Sequence, residues 1–178
     1  MLNGNCYNPC PLLQLFMSRD VFLVPFDYPN FRRTVHYPEF TGADLPEDFP
    51  EALRTQELVR IWGVRDGSRN RNQFERMDKR DGLLFYNNGQ YRFAGRVGEV
   101  FEHDWIANTF WGHAPSRMLY SVDDFDQIRL PRSTLNDLLE YSADWYPQGF
   151  QRVADDRRQH LINRYGTFSE FVEDFQVD

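Results

Sequence analysis

The run Gly82-Leu83-Leu84-Phe85-Tyr86, then Asn87-Asn88-Gly89-Gln90, then Tyr91-Arg92-Phe93-Ala94-Gly95-Arg96-Val97 constrains the fold more than any other part of the chain. An Asn-Gly step between two apolar runs marks a hairpin, because both residues tolerate the positive φ of a tight turn. The segment therefore predicts two antiparallel strands. Gly95 and Gly98, in and beside the second strand, predict a bulge or the sharp corner of a small barrel.

Further strands are expected on either side. Val21 to Val24 is a short apolar run ended by Pro25, and Leu58 to Val64 runs into a Gly-containing turn. Met118 to Val122 and Phe125 to Leu130 complete the set. Residues 27–46 carry Pro29, Pro38, Gly42 and Pro46 and read as loop. Helices are expected over Glu47–Glu57, with Asp48 as cap, and over Ser68–Met77, with Ser68 as cap. Others are expected over Thr134–Tyr141, 153–164 and 167–175, the last two divided at Gly166. Strands dominate the middle of the chain and short helices are interspersed, so the expected fold is one α+β domain around a small β-barrel.

A chain of 178 residues with 41% hydrophobic and 16% aromatic residues has ample material for one core. Residues 1–17, rich in Asn, Pro and Cys, read as an N-terminal arm, or as a stretch ahead of a true start at Met17, with a single domain over 18–178. The first 17 residues lack a basic n-region and their apolar run is broken at Gln14, and no stretch approaches the roughly 18 apolar residues of a membrane span. A soluble, cytoplasmic, monomeric protein is the expectation.

The net charge of −7 argues against coating DNA by bulk electrostatics but leaves room for a local basic face. That face is Arg60 to Arg80, where seven cations stand against three anions, interleaved with Ser68, Asn70 and Asn72. Such side chains bond phosphates and base edges; an ordinary basic helix face is the plainer alternative. A second concentration is Trp105-Ile106-Ala107-Asn108-Thr109-Phe110-Trp111-Gly112, whose two indoles fit neither strand nor helix spacing. That spacing predicts a loop with rings facing a shared pocket, although each Trp alone is as readily a core ring. Indole walls suit a flat methylated base, whose methyl group adds about 1 kcal/mol of burial.

No enzyme constellation accompanies these features. Gly63 to Ser68 lacks the lysine and spacing of a phosphate loop, and no Gly-x-Ser-x-Gly turn occurs. Cys6 and Cys10, and the scattered His36, His103, His113 and His160, make no metal site. Asp123-Asp124-Phe125-Asp126 reads as a solvated turn before it reads as a cation site. A non-enzyme without cofactor or metal is expected.

Three stretches in order, Ile61-Trp62-Gly63-Val64-Arg65, Asp81 to Tyr86 and Phe93 to Val97, resemble the EVE domain of the PUA-like superfamily. With the following tryptophan pair, the succession is also similar to the YTH domain, which reads N6-methyladenine in RNA. It is similar as well to the modified-base-reading N-terminal domains of archaeal McrB-type restriction systems. The resemblance spans about Val21 to Val122. It implies a PUA-like (EVE/YTH) small β-barrel surrounded by short α-helices, and an aromatic cage of Trp62, Trp105 and Trp111, with Phe110 able to replace Trp111. It further implies base-edge contacts from Gly63, Val64, Asn70 and Asn108, and phosphate contacts from Arg65, Ser68, Arg69, Arg71, Lys79 and Arg80. The implied ligand is a modified base, N6-methyladenine in DNA, held after base flipping, in the service of modification-dependent restriction. A nuclease or NTPase would then be a partner or a fused domain. The alternatives are an RNA reader and a small-molecule or methyl-ammonium-binding domain.

Overall fold

The computed structural model describes residues 19–112 and 116–177; the expected arm over residues 1–17, and His113, lie outside the described residues. Among the described residues, six strands form one sheet: β1 (Val21–Pro25), β2 (Ile61–Val64), β3 (Gly82–Asn87), β4 (Gln90–Glu102), β5 (Met118–Pro131) and β6 (Gln151–Arg152). Their order is β2-β5-β4-β3-β1-β6, with β1 parallel to β3 and every other pair antiparallel.

The hairpin forms where the Asn-Gly step places it. Asn87 pairs with Gln90, and Asn88 and Gly89 turn the chain at φ 48° and 81°. The long strands β4 and β5 then slip register at Tyr91/Phe93, Ala94/Arg96 and Val97/Val100. Each slip bends the strand and increases its twist, so the sheet curls into a half-barrel. Gly98 is required at the last slip, because a side chain there would run into Ser121 Oγ. β6 holds two residues only, and β2 and β6 stay as the two edges. Helix α3 (Ser68–Phe74) bridges them: it follows β2, and Gln73 Oε1 accepts the backbone N–H of Arg152 at 2.5 Å.

Strand alternation sorts side chains into separate cores. Phe22, Val24, Trp62, Val64, Leu83, Phe85 and Tyr120 point to one side, joined by Phe31, Phe74 and Phe150. Val21, Leu23 and Leu84 point to the other, under helices α4 (Arg132–Leu138), α5 (Asp155–Tyr165) and α6 (Phe168–Glu173), which supply Leu135, Leu161 and Phe171. A third cluster gathers Phe40, Phe49, Val59, Ile61, Ile106 and Leu119. Both faces of the sheet are thus buried. At about 1.5–3 kcal/mol per fully buried large side chain, these clusters hold the fold together.

Several local expectations are corrected. Residues 27–46 are not simply loop: helix α1 (Tyr28–Phe31) starts at Asp27, whose carboxylate accepts the Asn30 N–H at 3.1 Å, and continues as a π-helical turn over Arg32–His36. This run drives Phe31 and Val35 into the core. The helix expected over Glu47–Glu57 shrinks to α2 (Glu51–Arg54), since Pro50 occupies its N-cap; Asp48 instead bonds His103 Nε2 at 3.1 Å. Ser68 is the first helical residue of α3, and Gly67 is the cap. The two strands expected over Met118–Val122 and Phe125–Leu130 are one continuous β5, and the acidic run lies within it. Trp105–Gly112, expected as a loop, holds a π-helical turn over Ala107–Trp111.

Candidate nucleic-acid interface

Trp62 sits on edge strand β2 opposite Tyr120, with its side chain in the first core cluster and only 7% exposed. Its ring meets the edge of Phe31 at 5.4 Å and Trp111 at 5.2 Å, the latter at 64° between planes. Trp111 arrives from the π-helical turn and is half-buried. It lies flush on Gly63: a Cβ there would be 2.8 Å from both Cη2 and Cζ3 of the indole. Gly63 therefore admits the second ring. The indole N–H of Trp111 and the hydroxyl of Tyr120 are both buried without a partner among the described residues.

Among the described residues, β2 also offers open backbone. The Arg60 carbonyl accepts the Val122 N–H at 2.9 Å. Antiparallel pairs alternate between hydrogen-bonded and non-bonded, so Gly63, three residues on and opposite Leu119, turns its N–H and C=O away from β5 toward the edge. Val64 is buried and, opposite Met118 at a hydrogen-bonded position, turns its N–H and C=O toward β5, so it offers the edge neither side chain nor backbone.

The other two cage candidates are placed elsewhere. Trp105 packs on Phe40 at 5.7 Å, Phe49 at 5.9 Å and Phe110 at 5.5 Å, against the third cluster. Phe110 lies 5.0 Å from Phe40, and Arg33 lies over its ring at 5.2 Å. Ile61, next to Trp62, faces that third cluster while Trp62 faces the first. The structure thus unites Trp62 with Trp111 and does not bring Trp105 or Phe110 to them. The reason is local: Trp105, Phe110 and Trp111 all pack against the third cluster, and Trp111 alone lies across Gly63 at the edge of β2, where its ring also reaches Trp62 and the first cluster. Asn108 is exposed on the outside of this turn, its backbone N–H bonded to the Asp104 carbonyl at 2.9 Å.

The basic segment divides as well. Arg71 bonds Glu102 at 2.8 Å and Asp66 at 3.2 Å, lashing α3 to the end of β4. The Arg71 hydrogen bonds hold the Glu102 and Asp66 carboxyls below their ordinary pKa and raise that of the guanidinium. Lys79 pairs with Glu99 at 2.6 Å and Arg80 with Asp124 at 2.8 Å. Arg65, Arg69 and Arg76 are exposed and enter no ion pair among the described residues. Ser68, Arg69, Asn72, Gln73 and Arg76 line an open groove of about 560 Å³ that reaches Arg152. Asn70 does not face outward, since its Nδ2 donates to the Arg65 carbonyl at 2.8 Å and braces the turn from β2 into α3. Arg76 stands beside Arg69 in that groove, a neighbourhood that the spacing of the basic segment does not reveal.

Among the described residues, no cluster of three metal-ligating side chains occurs, and no helix is long and apolar enough to cross a membrane.

The elements and their order define a PUA-like α+β fold, a curled half-barrel ringed by short helices. Among solved structures, the chain overlays the N-terminal domain of Thermococcus gammatolerans McrB bound to m5C DNA with a TM-score of 0.64, at 16% identity, over 82% of this chain and 96% of that one. The fold is that of the McrB-type domain, as the resemblance in sequence implied. Human THYN1 in complex with 5-methylcytosine-containing DNA (TM-score 0.45, 12% identity) and ASCH from Zymomonas mobilis (0.44, 11%) are more distant, each over 82% of this chain and 96% of theirs. No protein-family model and no curated protein matches the chain.

Proposed function

We propose that this chain is a non-catalytic reader of a methylated base in DNA, which it takes at the Trp62–Trp111 pair on the edge of β2. The observation that carries the reading is Gly63: the residue over which Trp111 lies is also the one whose backbone N–H and C=O face the open edge. A base there stacks on the half-buried indole while the Gly63 amide and carbonyl read its hydrogen-bonding edge. Arg69 and Arg76, in no ion pair among the described residues, hold the flanking phosphates along the groove of α3, and Arg65, equally free of ion pairs among the described residues, adds a cation at the end of β2. Arg71, Lys79 and Arg80, already paired to carboxylates, shape the surface instead. The McrB domain of the same fold is bound to m5C DNA, which supports DNA as the partner.

The base is 5-methylcytosine or N6-methyladenine. The McrB domain favours the first and the likeness to YTH domains favours the second. In duplex DNA the base leaves the stack at a cost of a few kcal/mol, offset by stacking on indole. A methyl-ammonium ligand is disfavoured, because the cluster around Trp62 is apolar, and Asp66 and Glu102 are neutralised by Arg71. Cutting would belong to a nuclease, and any NTPase would be a further partner or fused domain, acting with the module in modification-dependent restriction.

Titration at fixed salt with oligonucleotides carrying 5-methylcytosine, 5-hydroxymethylcytosine, N6-methyladenine or no modification, in DNA and RNA, tests the reading. Tighter binding of one methylated DNA than of its plain counterpart is expected. Equal affinity across the set would falsify it.

A further inference from the structure

On the far side of Phe31 from Trp62 lies a pocket of about 370 Å³ that the base-reading edge does not use. Phe31 separates the two places, with its ring 5.4 Å from Trp62 and 5.2 Å from Phe93, which lines the pocket. Tyr28 forms an exposed wall (44% of its surface is open), and its hydroxyl lies 3.3 Å from His36 Nδ1. The His36 imidazole is fixed between Tyr37, stacked at 4.1 Å, and Phe93 at 4.7 Å. Burial, with Arg60 and Arg32 nearby, depresses its pKa, which favours the neutral ring.

The polar lining is unusual for so acidic a chain. Amides come from Asn87, Gln90 and Gln127, and cations from Arg92 and Arg129; no carboxylate lies among the described lining residues. Both arginines are exposed and enter no ion pair among the described residues. A flat aromatic wall, neutral amides and two guanidinium groups are together complementary to a heteroaromatic ring that carries an anion. Asn and Gln side chains present a donor and an acceptor side by side, as the edge of a purine or pyrimidine requires. Aromatic stacking tolerates any base, and an arginine fork matches phosphate oxygens.

We propose that this pocket binds a nucleotide, with its base stacked on Tyr28 and its edge against Gln90 and Gln127, and its phosphate on Arg92 and Arg129. The nucleotide is either a free nucleoside monophosphate or a unit of a nucleic-acid strand. The pocket needs no methyl group, so the proposal stands apart from the reading of the Trp62–Trp111 edge.

The test is titration of the full chain with AMP, dCMP, adenosine and an unmethylated pentanucleotide, followed by backbone amide NMR and calorimetry. Shifts confined to Tyr28, Gln90, Arg92 and their neighbours are expected at roughly millimolar AMP or below. Adenosine should bind about tenfold more weakly, and so should AMP to the Arg92→Ala, Arg129→Ala double variant. Trp111→Ala, which dismantles the other site, should leave AMP binding within twofold. A pentanucleotide that binds at least tenfold more tightly than AMP assigns the pocket to a strand; equal affinity assigns it to the free nucleotide. No shift at these residues up to about 10 mM AMP, or AMP affinity unchanged in the double arginine variant, overturns the proposal.

Discussion

Gly63→Ala is the smallest change that separates the two rings of the edge without touching either. The φ of Gly63 is not positive, so alanine fits the backbone and should add about 0.5–1 kcal/mol of strand stability. Against that, the new Cβ would stand 2.8 Å from two carbons of the Trp111 indole and 2.9 Å from Leu119 Cδ2. Carbon atoms rest at about 3.5–4.0 Å, so the indole must recede by roughly 1 Å. Overpacking of this kind costs about 1–3 kcal/mol, and an aromatic pair such as Trp62–Trp111 contributes about 0.5–1.5 kcal/mol beyond its burial. The half-buried indole can yield where Leu119, fully buried, cannot. The net expectation is a loss of about 1–2 kcal/mol in urea unfolding, a changed near-UV circular dichroism signal from the coupled indoles, and loss of preference for methylated DNA. A variant that kept its unfolding midpoint, its near-UV spectrum and its methyl preference would show that Trp111 does not rest on Gly63.

Three further outcomes are expected. Tyr120→Phe removes a fully buried hydroxyl that has no partner among the described residues; it should unfold at equal or higher urea, by up to about 1 kcal/mol, and a loss above about 1 kcal/mol would mean that the hydroxyl is bonded. Asp81 is buried and accepts the N–H groups of Asp20 at 2.9 Å and Asp78 at 2.8 Å, and burial pushes its pKa up to about 6. The folded state therefore binds the proton more tightly than the unfolded one, so this contribution to stability is full below about pH 4 and is lost as pH rises through about 6. Urea midpoints measured from pH 4 to 7 should fall more for the wild type than for Asp81→Asn, and parallel profiles would refute the shift. Arg69→Ala with Arg76→Ala should weaken methylated and plain DNA alike and flatten the slope of log K against log salt by about one to two; an unchanged slope would remove the α3 groove from the interface.

What was legible in the chain tracked short-range chemistry. Asn88-Gly89 gave the hairpin, and Gly95 and Gly98 marked the bulged stretch of β4, because a tight turn and a close approach each demand particular residues. The apolar runs of β1 and β3 were found because both faces of their sheet are buried. The misses came from long-range pairing. Nothing near Asp48 announces that it will bond His103, fifty-five residues away, and nothing near Asp123 shows that β5 will run through the acidic stretch. The site followed the same division. The pairing of Trp62 with Trp111 fits the order of motifs, but that Trp111 alone reaches round Gly63 to Trp62, while Trp105 and Phe110 stay with Phe40 in the third cluster, depends on the π-helical turn, which has no sequence signature. Likewise, seven cations in one segment look equivalent until Glu102, Glu99 and Asp124 arrive from β4 and β5 to occupy three of them.

The central claim is that one methyl group is sensed at Trp111. It is tested most directly by a cycle of four dissociation constants at one salt concentration: wild type and Trp111→Ala, each with a duplex that carries a single methylated base and with the same duplex unmethylated. Burial of one methyl is worth about 1 kcal/mol, or roughly fivefold. The wild type should therefore prefer the methylated duplex by about fivefold or more, and Trp111→Ala should bind both duplexes equally. A preference that survives intact in Trp111→Ala would contradict the account.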